Sequence, residues 1–324
     1  MPVNTEGGLY LPSNFIIKMS HIKKIWLAPI DEFTNVVFRT FAKNLGYDVT
    51  ISEMCHPHEI SFKGIHEPNI FLNKKGEYGI QLIGKIDKLI SYLSKNDKEL
   101  NYINKNCDFI NLNFGCPSKR VVGNKEGSYM LKYPNKIKEY ILKLNKITHI
   151  PINIKIRLGF EKDNSDEILK EVKDIVNLVI IHGRTKKQGY SGKANWKRLK
   201  EIKEKYREIT FVGNGDLNYK NINHKSKGFE EIMVGRYALK NPDVDSNYKN
   251  KKEMFLDFIK LWKSMENYYK NNNEIIKRQF KSSVYKRILM SFSKGMENSS
   301  KLRRDISKLK EKKKITKTTM NFLK

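Results

Sequence analysis

Short apolar runs rich in β-branched residues recur along the first three quarters of the chain. They lie at 25–30 (IWLAPI), 49–54 (VTISEM), 79–84 (GIQLIG), 109–114 (FINLNF), 152–158 (INIKIRL), 178–183 (LVIIHG), 209–213 (ITFVG) and 231–235 (EIMVG). Runs of this length read as strands buried on both faces, and therefore as a parallel sheet. Between them, apolar residues at three- and four-residue spacing predict helices over 35–45, 86–93, 135–144, 167–175 and 196–206. Strands alternating with helices point to a (β/α)8 TIM barrel, with a doubly wound open sheet as the alternative. Polar and glycine-containing sequence follows nearly every run. A barrel would gather those segments at one rim, where such folds keep their active sites.

After Pro242 the pattern changes. Helical apolar stripes appear at 253–269, 275–290 and 299–309, with no further strand signal. The division predicted is an N-terminal extension (1–21), a barrel (22–242) and a small all-helical C-terminal domain (243–324). The last 24 residues, 301–324, carry ten Lys/Arg against two acidic residues. Such a run is either a solvated, frayed tail or a basic surface for phosphates.

Composition sharpens this picture. The chain has 324 residues, with 63 Lys+Arg against 35 Asp+Glu and a formal charge of +28. A field of that size draws polyanions, nucleic acid first and an anionic membrane second. Abundant Lys, Asn and Ile also arise from codon bias in AT-rich genomes. Three cysteines, Cys55, Cys107 and Cys116, with no CxxC pair, argue against a disulfide framework and a metal site. They suit a reducing compartment, with the cytoplasm expected. No apolar run reaches the roughly 20 residues of a spanning helix. Of the two candidate polyanions, nucleic acid is the expected partner and a membrane is not. The stretch 8–17 is too short and polar for a signal peptide, and Met19 is a candidate start. A monomer is the expected state.

Candidate chemistry sits at the strand ends. One strand runs into Gly115-Cys116-Pro117. A thiol there can act as an acid, as a nucleophile if its pKa is lowered, or as a buried structural residue. Lys155 and Arg157 share one strand face, as do His182 and Arg184. Burying bare cations is costly, so these residues suggest an anionic or electron-rich ligand between them. Asn214, Gly215, Asp216, Gly235 and Arg236 follow the last two runs, where barrels often bind phosphate. A flavin mononucleotide suits both features.

Together these residues resemble the tRNA-dihydrouridine synthase family, of the bacterial type. The likeness rests on LAPI (27–30), SEM (52–54), QLIG (81–84), NLNFGCP (111–117), KIRLG (155–159), HGRTKKQGYSG (182–192), NGD (214–216), VGR (234–236) and GMENSSKLRRDIS (295–307). It implies an FMN-binding barrel with a helical tRNA-binding domain, and NADPH or NADH as electron donor. Pro29, Ile30, Asp31, Gln81, Lys155 and His182 would contact the flavin. Asn214, Gly215, Asp216, Gly235 and Arg236 would hold its phosphate. Cys116 would be the catalytic acid, protonating C5 of a uracil that receives hydride from flavin N5 at C6. Asn113 would help hold the target base, and Arg157 and Arg184 are further candidates for substrate contact. Two segments depart from the family pattern. Asp31-Glu32 stands where a small residue and glycine are usual, and Lys125-Glu126 interrupts a loop that is usually richer in glycine. Two other readings share features with this one: a flavin reductase of free pyrimidines, and a tRNA-binding protein without catalysis.

Overall fold

The computed structural model describes residues 21–56, 77–95, 97–244, 248, 250–272 and 280–324. Apart from His21, the expected N-terminal extension lies outside them. The strands are β1 (Lys24–Leu27), β2 (Val49–Cys55), β3 (Glu77–Leu82), β4 (Phe109–Phe114), β5 (Ile152–Arg157), β6 (Leu178–His182), β7 (Thr210–Asn214) and β8 (Glu231–Val234). They pair in sequence order, and β8 closes in parallel on β1, with Lys24 opposite Glu231 and Leu27 opposite Val234. That closing pair decides for the barrel against the open sheet.

The barrel's lower interior is apolar, built from Trp26, Val49, Ile51, Phe109, Ile180, Val212 and Met233. Trp26 and Phe109 meet with ring centroids 5.5 Å apart. A Cβ at Gly79 would sit 2.0 Å from the Phe109 ring, so glycine is what lets that ring fill the centre. With its lower end plugged in this way, the barrel opens only at the carboxyl ends of its strands.

Around it run α1 (Val36–Asn44), α2 (Ile86–Lys95), α3 (Asp97–Asn106), α4 (Lys119–Gly123), α5 (Pro134–Asn145), α6 (Ser165–Val172), α7 (Trp196–Lys205) and α8 (Ile222–Lys225), with a 3-10 turn at Gly127–Lys132. Helix α1 starts where the Asn35 side chain accepts from the Phe38 N–H, which satisfies a donor the first turn cannot. Helix α3 escapes the sequence pattern, because in DKELNYINKN only Leu100 and Ile103 supply buried aliphatic anchors.

The C-terminal helices are α9 (Lys251–Asn272), α10 (Ser282–Phe292), α11 (Ser299–Ser307) and α12 (Lys312–Leu323). The stripe expected at 275–290 begins outside the described residues, and its described part is α10. These helices dock on the barrel through aromatic packing. Phe258 of α9 stands 5.2 Å from Phe41 of α1 and 5.0 Å from Phe292 of α10, centroid to centroid.

The final basic run is not a frayed tail. Helix α12 buries Ile315, Thr319 and Leu323. Lys312 Nζ donates to the Phe280 carbonyl at 2.8 Å and pairs with Glu266, and Tyr285 and Thr316 join their hydroxyls at 3.1 Å. The charge pattern concealed an apolar seam only a few residues wide. Ile315→Ala should therefore destabilise the protein by about 2–4 kcal/mol in denaturant titration. A cost below about 0.5 kcal/mol would mean that the helix does not pack in solution.

Among the described residues, no helix is long and apolar enough to cross a membrane, and no His/Cys/Asp/Glu cluster could hold a metal ion.

Candidate active site

The strand ends open onto one cleft of about 1010 Å³. Small-molecule sites span roughly 300–1,000 Å³, so this one has room for a cofactor and a second ring. Pro29, Ile30 and Asp31 line it from the loop after β1, and Gln81 from β3. Asn113 and Cys116 come from β4 and its loop, Lys155 and Arg157 from β5, and His182 from β6. Asn214, Gly215 and Asp216 follow β7, and Gly235 and Arg236 follow β8. Of the expected site residues, only Arg184 stands outside the lining.

Cys116 is held through its backbone. Asn113 Oδ1 accepts from the N–H groups of Gly115 (3.0 Å) and Cys116 (2.9 Å). The Cys116 carbonyl accepts from the Ser128 N–H (3.1 Å) and hydroxyl (2.8 Å). The backbone that carries the thiol is thus held, while the side chain remains partly exposed to the cleft.

The two arginines brace loops. Arg157 donates from Nε to the Gly115 carbonyl at 2.9 Å, and from Nη1 to the carbonyls of Thr185 (3.1 Å) and Gly189 (2.8 Å). It ties the Cys116 loop to the loop after β6. Arg184 donates to the carbonyls of Ser191 (3.1 Å) and Gly192 (2.6 Å) and to Asp216 Oδ2 (2.6 Å). Its Nε and Nη2 thus hold the β6–α7 loop and Asp216, while Nη1 is buried with no hydrogen-bond partner among the described residues. Burial works against the Asp216 charge, yet the Ala194 N–H and the Arg184 guanidinium hold its carboxyl below the usual range.

Lys155 and His182 face the cleft with little to pair them. Burial, then the neighbouring Arg157, pushes the Lys155 ammonium down to about 8. Its one recorded hydrogen bond is a long contact of 3.4 Å to Asn214 Oδ1. Burial and the cations of Lys155, Arg157, Arg184 and Arg236 push His182 well below its ordinary value, so its ring is neutral. His182 Nδ1 is buried with no hydrogen-bond partner among the described residues. A cation that lines an open cleft with no carboxylate partner among the described residues is suited to a polar or anionic ligand.

The departures from the family pattern keep the backbone that glycine would allow. Glu32 adopts φ 61°, donates its N–H to Glu53 Oε2 at 3.0 Å, and pairs its own carboxylate with Arg287 of α10. The loop after β1 is thus clipped to a C-terminal helix. Lys125 also takes φ 61°. Several lining residues were not anticipated. Tyr190 stacks under the Arg236 guanidinium at 4.2 Å, and its place within HGRTKKQGYSG was the available clue. Ser291 and Lys294 reach the cleft from the C-terminal helical region, where nothing in the sequence marks them.

The family model described as Dihydrouridine synthase (Dus) matches residues 26–324, which takes in the barrel and the C-terminal helices. The chain belongs to the dihydrouridine synthase family. It is 33% identical over 296 residues to a probable tRNA-dihydrouridine synthase of Aquifex aeolicus, covering 86% of this chain and 90% of that one. It is 29% identical over 235 residues to tRNA-dihydrouridine synthase B of Pasteurella multocida, covering 68% of this chain and 67% of that one. A tRNA-dihydrouridine(47) synthase [NAD(P)(+)]-like protein of Oryza sativa subsp. japonica is 28% identical over 242 residues, which is 71% of this chain and 34% of the longer relative.

In this dihydrouridine synthase family member, Gly127 closes the Cys116 loop. It has φ 57°, and a Cβ there would lie 2.7 Å from Val121 Cγ1 and 3.0 Å from the Cys116 carbonyl. Gly127→Ala should cost about 1–3 kcal/mol in thermal denaturation, through left-handed strain and overpacking. An unchanged melting temperature would show that the loop gives way around the added methyl group.

Proposed function

We propose that the chain is a tRNA-dihydrouridine synthase, reducing the C5–C6 double bond of specific uridines in tRNA with FMN and NADPH or NADH. The observation that carries this reading is the cleft itself. Cys116, anchored through its backbone, lines it together with the Lys155 ammonium, which has no acidic partner among the described residues, and the neutral ring of His182. Family membership and the +28 charge support the same reading.

The residues present fit FMN. Lys155 and His182 offer donors to an electron-rich ring, with Gln81 and the Pro29–Ile30–Asp31 loop beside them. Gly215 has φ 132°, and a Cβ there would lie 2.6 Å from Ala194 Cβ, so no side chain covers that turn. Asn214, Gly215, Asp216, Gly235 and Arg236 would hold the phosphate there. When bound, the flavin supplies the hydride for C6 of the uracil, drawn from the nicotinamide.

The protein's own part is position and charge. A stacked base cannot enter the cleft, so the uridine is flipped out of the tRNA. Cys116 gives its thiol proton to C5 and regains one from solvent. Asn113 and Arg157 flank the base, and Arg184 acts from behind by holding the β6–α7 loop. Lys155 stabilises negative charge that develops on ring oxygens. Residues 22–242 form the catalytic unit, and residues 243–324 orient the tRNA.

The test is to offer the purified protein FMN, NADPH and unmodified tRNA, and separately free uracil or orotate. Dihydrouridine should appear in the tRNA, by nucleoside mass spectrometry, with the free pyrimidines untouched. Equal turnover of orotate would point to a small-molecule reductase. A colourless protein that takes up no FMN would point to a tRNA-binding protein without catalysis.

A further inference from the structure

Between the apolar plug and the cleft lies a polar layer of which the proposed chemistry uses only Gln81. Gln81, Asn111 and Asn153 stand opposite one another on β3, β4 and β5 in the strand register. Asn111 is fully buried, and Asn153 is nearly so. Three amides inside a barrel are costly unless each donor and acceptor is matched. Here they form one chain. Asn113 Nδ2 donates to Gln81 Oε1 at 2.9 Å, with Met54 Sδ 3.8 Å away as a weak second acceptor. Gln81 Nε2 donates to Asn111 Oδ1 at 2.7 Å, and Asn111 Nδ2 donates in turn to Asn153 Oδ1.

The chain has only one self-consistent sense. Two backbone N–H groups, those of Gly115 and Cys116, fix Asn113 Oδ1 as an acceptor. Its Nδ2 must then find an oxygen, which orients the Gln81 amide. Gln81 must find another oxygen in Asn111, and Asn111 a last one in Asn153. Bonds that all run one way polarise one another, and reversing one member leaves a buried donor facing a donor.

From this we infer that Asn111 and Asn153 are positioning residues. They act through Gln81 and Asn113 to set which amide atoms face the cleft, and to hold the Cys116 loop. Neither lines the cleft itself. Asn153 is needed only as an acceptor at the end of the ladder, whereas Asn111 must both accept and donate.

The experiment compares Asn153→Asp with Asn153→Leu. Aspartate keeps a carbonyl-type acceptor whether ionised or protonated, and leucine keeps the size and loses the acceptor. Two readouts apply: FMN affinity by fluorescence titration, which rests on the proposed function, and the rate of Cys116 alkylation by iodoacetamide, which does not. Cys55 and Cys107 are buried, so Cys116 dominates the alkylation. Asn153→Leu should weaken FMN binding about tenfold, as loss of one buried hydrogen bond implies, and speed alkylation severalfold. Asn153→Asp should stay near wild type in both. If the leucine variant does not fold, Asn153→Val takes its place. Aspartate and leucine variants that behave alike, or a leucine variant that behaves like wild type, would overturn the inference. Failure of the wild type to take up FMN would instead refute the flavin reading and leave the alkylation ratio to judge the ladder.

Discussion

Cys116→Ala is expected to cut dihydrouridine formation by roughly a hundred- to ten-thousand-fold, the usual worth of a general acid, while FMN uptake is unchanged. The fold should tolerate the change. Each recorded hydrogen bond that fixes this residue uses its backbone, to Asn113 and to Ser128, and alanine keeps all of them. The melting temperature should therefore move little. The size of the loss depends on what else in the cleft can give a proton. His182 is a poor substitute, because burial and four neighbouring cations hold its ring neutral. Lys155 is the stronger rival, since burial brings its ammonium to about 8, close to an ordinary thiol. Single-turnover measurements on tRNA, as a function of pH, separate the two. A loss of less than about tenfold, with residual activity that falls as pH rises past 8, would transfer the acid role to Lys155. A deeper loss at every pH would leave the role with Cys116.

The barrel was legible because its strands are buried on both faces and so read as uninterrupted apolar runs. The rim was legible for a related reason. Residues such as Asn113, Lys155 and His182 close those runs, and closing a barrel sends every run's end to the same place. What the sequence hid was pairing. Alternating cations at 155, 157, 182 and 184 suggest a common ligand. Yet Arg157 and Arg184 direct donors to carbonyls of loops up to 42 residues away, and Arg184 also to the Asp216 carboxylate, a choice made by loop geometry. Glu32 looked like an obstacle in the first loop. Its left-handed backbone and its Arg287 partner, 255 residues on, remove the conflict. Ser291 and Lys294 belong to a helical region whose pattern reports only its own apolar stripe. Helix α12 was concealed by the exposed Lys313, Lys314 and Lys317 around Ile315 and Thr319, since a narrow buried seam scarcely lowers the net polarity of a segment.

Lys155→Met is expected to give a protein that is more stable and nearly inactive. The part-buried ammonium lies near Arg157 and has no carboxylate within salt-bridge reach among the described residues, so folding must keep a charge where water solvates it less well. A drop from 10.5 to about 8 sets a ceiling of about 3 kcal/mol on that cost, and water in the open cleft reduces it to about 1–3 kcal/mol. The sign follows from proton counting. Between about pH 8 and 10.5 the unfolded chain holds this proton and the folded one does not, so stability rises with pH across that window. Below pH 8 both states are protonated and the whole penalty remains. Lys43 is also brought to about 8 by burial, with the same sign, so the wild-type slope mixes the two residues. The difference between wild type and Lys155→Met isolates one of them: a higher melting temperature for the variant at pH 7, converging as pH approaches 10.5. Methionine has nearly the same length and no charge, so it fills the space while removing the cation that faces the cleft. If that cation stabilises charge on the reacting ring, activity should fall at least a hundredfold. Weaker FMN binding in the same variant would place the ammonium against the cofactor, and unchanged binding would place it against the base. A variant that is less stable than wild type at pH 7 would show that Lys155 finds a partner in solution, and would remove the basis for reading it as a cation held ready for a ligand.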